Sequence, residues 1–321
     1  MKKIIRHFIE NGGDFNAVAL ELYAWQRAHN PEYNRFCGDI QVRQWNQIPA
    51  VPTTLFQDLT FTSFNKSLAT TIFHTSGTTG AKPGIIHLQD TDIYDLSARQ
   101  HAENCLGKFP LWGVSLVPTS EHSSLGHMCK NFVPNMPCFF DASKGVDIQG
   151  AWTAISAASK HQEPIFIPGT AFAFADILDQ NLESIQLAPG SIVMVTGGFK
   201  GRRSSVPADF MYSSLERLLP GASIVSEYGM SELASQLWAI PAKANFKPPP
   251  WLRVVAVDPW TGEPTTRGLL RFFDLANHQT VLAIETQDVG TVHQDGSVQL
   301  EGRLPGAQLR GCSLTVEATR D

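Results

Sequence analysis

From Ala69 onward the chain alternates between two kinds of segment. Short apolar, β-branched runs stand at 70–74, 112–118, 164–168, 191–196 and 222–226. Between them, near 92–106, 123–133, 147–160, 171–181 and 205–219, apolar residues recur at helical spacing. Parallel neighbours need a long crossover, so strands separated by helix-length stretches imply βαβ units and a largely parallel sheet. The expected fold class is therefore α/β. After Pro248-Pro249-Pro250 the pattern changes to runs at 252–257, 268–273, 281–285 and 297–301, with turn sequences such as Gln294-Asp295-Gly296 between them. That spacing predicts a smaller β-rich subdomain with antiparallel pairing.

Ahead of the alternation, residues 1–65 read as helices and an irregular connector. Phe15, Val18, Leu22 and Trp25 fall on one helical face, with Asp14 placed to cap it. Pro49 and Pro52 then force an extended segment toward Leu55 and Phe56. The expected organisation is a helical segment over 1–65 packed on the core, an α/β core over 66–247, and a β-rich subdomain with a cysteine-bearing tail over 248–321.

Composition narrows the function classes. At ~150 residues per domain, 321 residues suggest about two domains with a real core. With 43% hydrophobic and 17% charged residues the chain is globular and not disordered. The 25 Lys and Arg stand against 30 Asp and Glu without a basic block, which removes the footprint of a nucleic-acid binder. No apolar run reaches the ~18 residues of a membrane span. Arg6, His7 and Glu10 interrupt the start before an apolar stretch forms, so it makes a poor signal peptide. Five cysteines, at 37, 105, 129, 138 and 312, include no C-x-x-C pair. They predict reduced thiols in a cytoplasmic protein.

Several chemistries lack their motifs. The chain has no G-x-x-x-x-G-K-[ST], no G-x-G-x-x-G and no H-E-x-x-H. Gly229-Met230-Ser231-Glu232-Leu233 lacks the last glycine of a nucleophile elbow. His127 and Cys129 sit two apart on an expected helix and face different sides, so with His122 and Cys138 they make a poor zinc set.

The most informative stretch is His74-Thr75-Ser76-Gly77-Thr78-Thr79-Gly80-Ala81-Lys82-Pro83-Gly84, directly after the expected strand at 70–73. Hydroxyl residues punctuated by glycine form a loop whose N–H and O–H groups can wrap phosphate oxygens. Lys82 adds a positive charge. Alone, a G-T-T-G of this kind is as readily a polar turn. The full string resembles the phosphate loop of adenylate-forming enzymes, the superfamily of acyl-CoA synthetases, peptide-synthetase adenylation domains and luciferases.

Three further motifs follow in the order that this resemblance requires. Thr196-Gly197-Gly198 ends the expected strand at 191–195. The family places such a glycine pair beside the acyl group and adenine, which implies Gly197 for the acyl pocket and Gly198 for the nucleotide. Tyr228-Gly229-Met230-Ser231-Glu232 is similar to Y-G-x-[TS]-E. There the Tyr packs on adenine, the hydroxyl residue binds the α-phosphate and the Glu ligates Mg²⁺. Thr286-Gln287-Asp288-Val289-Gly290 with Glu301-Gly302-Arg303 resembles T-x-D-x-G…G-R, whose Asp and Arg bind the ribose. The resemblance therefore implies an adenylate-forming core that uses ATP and Mg²⁺.

Typical members continue for ~100 residues beyond G-R into a lid that carries a catalytic lysine, a unit of its own by size. This chain stops at Asp321, so the lid is expected to be absent. One branch has this short form: the acyl-protein synthetases of bacterial fatty acid reductase systems, best known from bioluminescence. The resemblance to that branch covers roughly residues 45–321. It includes the segment 48–56, Ser123-Ser124-Leu125 with Met128, Gly197-Gly198-Phe199-Lys200, and Arg310-Gly311-Cys312-Ser313-Leu314. In that branch a cysteine near the C-terminus takes the acyl group as a thioester. A thiolate suits attack on a mixed anhydride, and Arg310 can favour the thiolate over a free thiol of pKa ~8.5. Cys312 also reads as a small buried hydrophobe in a last strand.

With the lid lysine gone, Lys200 is the expected cation at the α-phosphate, with Lys82 as competitor. Lys200 also reads as a solvated residue of a basic turn. His122 falls near the family's acyl pocket. The expected reaction is activation of a carboxylic acid, by the resemblance a fatty acid, to acyl-AMP, then transfer to Cys312. A reductase cysteine, a carrier-protein phosphopantetheine or a small nucleophile would then accept the acyl group. Three alternatives stand beside it: a stand-alone ligase that loads CoA or a carrier protein directly, a catalytically silent nucleotide-binding subunit, and a scaffold protein, which nothing in the sequence supports. The intact Glu232, Asp288 and Arg303 speak against silence.

Overall fold

The computed structural model describes residues 1–75, 82–118, 120–141, 143–197 and 207–304. They form two compact units. One takes Met1–Gln100, Met230–Gln236 and the chain from Lys247 onward; the other takes His101–Gly229 and Leu237–Phe246. This division differs from the segmentation at 66–247 and 248–321. Residues 66–100 and 230–236 group with the N-terminal helices and the β-rich part.

The first unit opens with α1 (Lys2–Asn11), α2 (Phe15–His29) and α3 (Pro31–Cys37). The Asp14 carboxylate caps α2 by accepting from the N–H groups of Asn16 and Ala17. The buried stripe of α2 is Phe15, Ala19, Leu22, Tyr23 and Gln26, whereas Val18 and Trp25 are only half-buried. The stripe turns away from the expected face because a polar side chain belongs to it. Gln26 donates to the carbonyls of Asn277 and His278 and accepts from the N–H of Leu282.

β1 (Val51–Pro52) pairs parallel with β14 (Ala283–Val292). β14 lies beside β13 (Arg267–Asp274), then β11 (Leu252–Val257) and β12 (Pro264–Thr265), while β15 (Val298–Arg303) pairs on β14. The antiparallel pairing expected beyond residue 248 is present, and the Pro52 segment joins its edge. β2 (Thr71–His74) is not in a parallel sheet as expected. It pairs antiparallel with β3 (Ile85–Leu88), since the chain returns at once and leaves no crossover length. α4 (Asp92–Leu106) follows, and the chain enters the second unit within it.

The second unit holds the parallel sheet. β4 (Trp112–Gly113), β7 (Ile165–Thr170), β8 (Ile192–Thr196) and β9 (Ser223–Tyr228) run parallel, and β10 (Leu237–Ala239) adds antiparallel to β9. A short hairpin of β5 (Phe140–Asp141) and β6 (Gly145–Val146) lies beside it in sequence. α6 (Ile148–Ser159), α7 (Ala171–Leu178) and α8 (Ala208–Leu218) share a core with Ile165, Ile167, Val193, Val195 and Ile224 on one face. On the other face Phe132, from α5 (Ser124–Phe132), meets Phe166 and Trp238. Burial on both faces explains why these strands read as continuous apolar runs and not as alternating ones.

Among the described residues, no helix is long and apolar enough to cross a membrane. No group of three or more His, Cys, Asp or Glu is placed to hold a metal there.

Candidate active site

In the first unit the phosphate-loop candidate begins where β2 ends. Thr75 ties the two ends of the loop together: its N–H donates to the Gly84 carbonyl, and its hydroxyl accepts from the Gly84 N–H, both at 2.9 Å. Gly84 is needed there, because a Cβ would stand 3.0 Å from the Phe56 carbonyl oxygen. Lys82 is exposed. Ser76, Gly77, Thr78, Thr79 and Gly80 lie outside the described residues, as do Gly198, Lys200 and Cys312.

Ser231 arrives at this loop from 157 positions away. Its hydroxyl donates to the His74 carbonyl at 3.0 Å, one residue before Thr75. Two motifs that the sequence keeps far apart therefore meet. Next to it, Glu232 is buried, and its backbone carbonyl accepts from Asn277 Nδ2 at 2.6 Å. The donor chemistry fits magnesium carried by a nucleotide. Mg²⁺ is usually held by one or two carboxylates, with substrate phosphates and water to complete the shell, and no all-protein cage is required. Glu232 would hold such an ion.

The third motif is shaped by an irregular strand pair. On β13 the register passes from Leu269 to Arg271 while its partners on β14 pass from Val289 to Glu285. Three residues of β14, Thr286, Gln287 and Asp288, thus stand against the single Leu270 of β13, two more than a regular ladder holds. The Thr286 hydroxyl repairs it: it donates to the Leu270 carbonyl at 3.0 Å and accepts from the Asp288 N–H at 3.1 Å. Bulges commonly re-aim a side chain at a functional site. Here the half-buried Asp288 lies opposite Arg303 in register, and Arg303 Nε donates to its Oδ1 at 2.8 Å. Gly290 permits close strand approach, since a Cβ would lie 2.6 Å from the Gln299 carbonyl oxygen.

In the second unit, Gly197 follows β8 with φ 72°, a left-handed conformation that favours glycine. Tyr228 ends β9 half-buried, its ring edge-on to Phe246 at 6.1 Å, and Gly229 follows it. Both positions are at the carboxyl ends of parallel strands, where open α/β sheets bind ligands. His122 is exposed in the turn before α5, and the adjoining Ser123 caps that helix by accepting from the Gly126 N–H.

Two buried carboxyl groups escaped the sequence reading. Glu227 is paired in register with Thr196 on one side and Trp238 on the other, and the Thr196 hydroxyl donates to its Oε2. Burial pushes its carboxyl up to about 7, against the lowering effect of the Thr196 bond. Asp274, at the end of β13, is pushed up to about 6 by burial, while bonds from Ser235, Ala276 and Ala234 oppose the shift. The available signal was an acidic residue inside an apolar run, in Ile-Val-Ser-Glu and Leu-Arg-Phe-Phe-Asp.

Solved structures share this architecture. The O-succinylbenzoate coenzyme A synthetase of Bacillus subtilis, solved in complex with AMP, matches with a TM-score of 0.52 and 19% identity over 73% of this chain and 49% of that one. 2-Hydroxyisobutyryl-CoA ligase, in an open conformation with 2-HIB-AMP and CoA, matches with a TM-score of 0.65 and 14% identity over 92% and 75%. The fold is that of the N-terminal core of adenylate-forming enzymes. ATP-bound MatB from Rhodopseudomonas palustris matches with a TM-score of 0.53 and 14% identity, over 75% of this chain and 49% of that one. The chain thus spans about half the length of the Bacillus synthetase. No family model and no curated protein matches the sequence.

Proposed function

We propose that this protein uses ATP and Mg²⁺ to convert a carboxylic acid to acyl-AMP, then takes the acyl group on Cys312 as a thioester and passes it to a partner protein. The observation that carries the first step is the bond from Ser231 to His74, which joins the Tyr-Gly-x-Ser-Glu segment to the start of the phosphate loop. An oxygen-rich loop sequence, with a carboxylate one residue from the serine that bonds to its start, suits a nucleoside triphosphate with its magnesium.

In this reading residues 75–80 and Lys82 hold the phosphates, Gly198 and Gly229 allow close backbone approach, and Tyr228 packs on adenine. Asp288, oriented by Arg303, accepts from the ribose hydroxyls. Bound magnesium would neutralise phosphate charge. Ser231 contacts the α-phosphate and Lys200 stabilises the charge that develops there. The substrate carboxylate, placed beside Gly197 and His122, attacks the α-phosphorus, and pyrophosphate leaves. The Cys312 thiolate then attacks the acyl carbonyl, a thioester bond forms, and AMP departs with the bonding electrons. Burial pushes the Cys37 thiol up to about 11 and holds the Cys129 thiol well above its ordinary value, which makes both poor nucleophiles. A fatty acid substrate and a reductase or carrier-protein acceptor are the branch-level part of the proposal.

The test is to incubate the protein with ATP, Mg²⁺ and a panel of carboxylic acids while following pyrophosphate exchange and intact protein mass. Exchange together with an acyl adduct that disappears in Cys312→Ala is the expected result. Exchange without an adduct would leave a ligase that loads CoA or a carrier directly. An absence of exchange across the panel would leave a silent nucleotide-binding subunit.

A further inference from the structure

We infer that Asp274 is a positioning residue that sets the Ser231–Glu232 segment for magnesium-dependent nucleotide binding, a role that rests on the function proposed above. The end of β13 and the turn after it grip the chain at Glu232 and just beyond it, at Ala234 and Ser235. Asn277 Nδ2 holds the Glu232 carbonyl at 2.6 Å. Asp274 Oδ2 accepts from the Ala234 N–H at 3.1 Å, and Oδ1 accepts from the Ser235 hydroxyl at 2.8 Å. Oδ1 also accepts from the Ala276 N–H at 3.0 Å, which fixes the carboxylate to its own turn.

Behind Ser235 the donors run in one direction. The Ser235 proton is committed to Asp274, so the Ser97 hydroxyl must donate across the 2.9 Å to Ser235 Oγ. Trp251 Nε1 donates to both hydroxyl oxygens, at 2.8 Å to Ser97 and 3.1 Å to Ser235. All four of these residues are fully or almost fully buried. A buried carboxylate that accepts this many donors belongs to a satisfied network whose members hold one geometry. What it holds is Ala234 and Ser235, two and three residues after Glu232. On the other side of Glu232, Ser231 is pinned to His74. The Glu232 carboxylate is thus carried on a backbone fixed from both directions.

Asp274→Asn keeps the size of the side chain but turns an N–H₂ toward groups that are themselves donors. Asn277→Ala removes only the hold on the Glu232 carbonyl. The measurements are calorimetric ATP binding over a Mg²⁺ titration and thermal melting without nucleotide, with pyrophosphate exchange run alongside. A positioning role predicts that both variants need about five- to tenfold more Mg²⁺ for half-maximal ATP binding, as expected from one or two lost hydrogen bonds. Their KM for the acid should stay at the wild-type value.

If the variants melt earlier but the folded protein keeps the wild-type Mg²⁺ dependence, the role is only structural and the inference fails. Should Asp274→Asn not fold, Asn277→Ala decides by the same criterion. Wild-type protein that binds Mg·ATP but exchanges no pyrophosphate would overturn the acyl-activating function, while the Mg²⁺ shift of the variants would still be read. Wild-type protein that binds no ATP would overturn both.

Discussion

Glu227 carries a pH signature that can be read without any substrate. Its folded pKa, about 7, lies above the ordinary value of 4.5 because burial penalises the charge. Between those values the folded chain binds more protons than the unfolded one, so stability falls as pH rises. The contribution is fully present below about pH 4.5 and is lost as pH passes 7. Its full size is roughly 3 kcal/mol by the linkage relation. Glu227→Gln should flatten this part of the profile and raise the melting temperature most above pH 7. Parallel melting curves for both proteins from pH 5 to 8, on the order of the window in which a carboxyl of this kind titrates, would check it. Curves of identical shape would mean that Glu227 is not the group responsible. Asp274 has the same sign: its contribution is fully present below about pH 3.8 and is lost as pH rises through 6. His278 acts oppositely. Burial lowers it to about 4, so its neutral form favours the fold as pH rises from there toward 6.5.

At the scale of elements, the bulge on β14 depends on one hydroxyl. Thr286→Val keeps the branched shape but removes a buried donor to Leu270 and a part-buried acceptor for Asp288. The expected cost is about 1–3 kcal/mol in a denaturant melt, because a carbonyl and an amide are left unpaired. Nucleotide affinity should fall with it, since Asp288 loses its aim. A variant as stable as wild type would show that the bulge holds itself. Much of this scale was legible in sequence. The runs at 164–168, 191–196 and 222–226 became β7, β8 and β9, and Asp14 capped α2 as its side chain allows. The register bulge was not legible, because nothing in Thr-Gln-Asp-Val-Gly says which partner residue is skipped. The pairing of β2 with β3 also escaped, for an apolar run does not name its neighbour. Of the candidate site, the motifs were visible as strings, yet the meeting of Ser231 with His74 depends on folding between distant positions. Gln26 escaped for a related reason. Its polar side chain is buried only because the backbone at 277–282 needs partners.

Across the whole molecule the two units are threaded differently. The second takes its sequence from 101–229 plus the short return at 237–246. The first unites stretches that begin at residue 1 and continue beyond residue 247. Its buried turn after β13 gathers distant partners: Gln26 and Asn30 from the N-terminal helices, Ser63, and Gln89 all bond to residues 277–282. Closing such long loops is the slow part of folding. A chain emerging from the ribosome would therefore hold its first hundred residues in waiting until the turn after β13 appears, well after the parallel sheet has its strands. Stalled nascent chains ending at residue 246 should show protease protection in 101–229 and little in 1–100. Chains extended past residue 304 should protect both, and early protection of 1–100 would mean that the N-terminal helices have another temporary partner. The glutamine that fastens α2 to the far end of the chain would then act as a late checkpoint of synthesis, one that lets the first unit close only after the strand carrying Asp274 has been made.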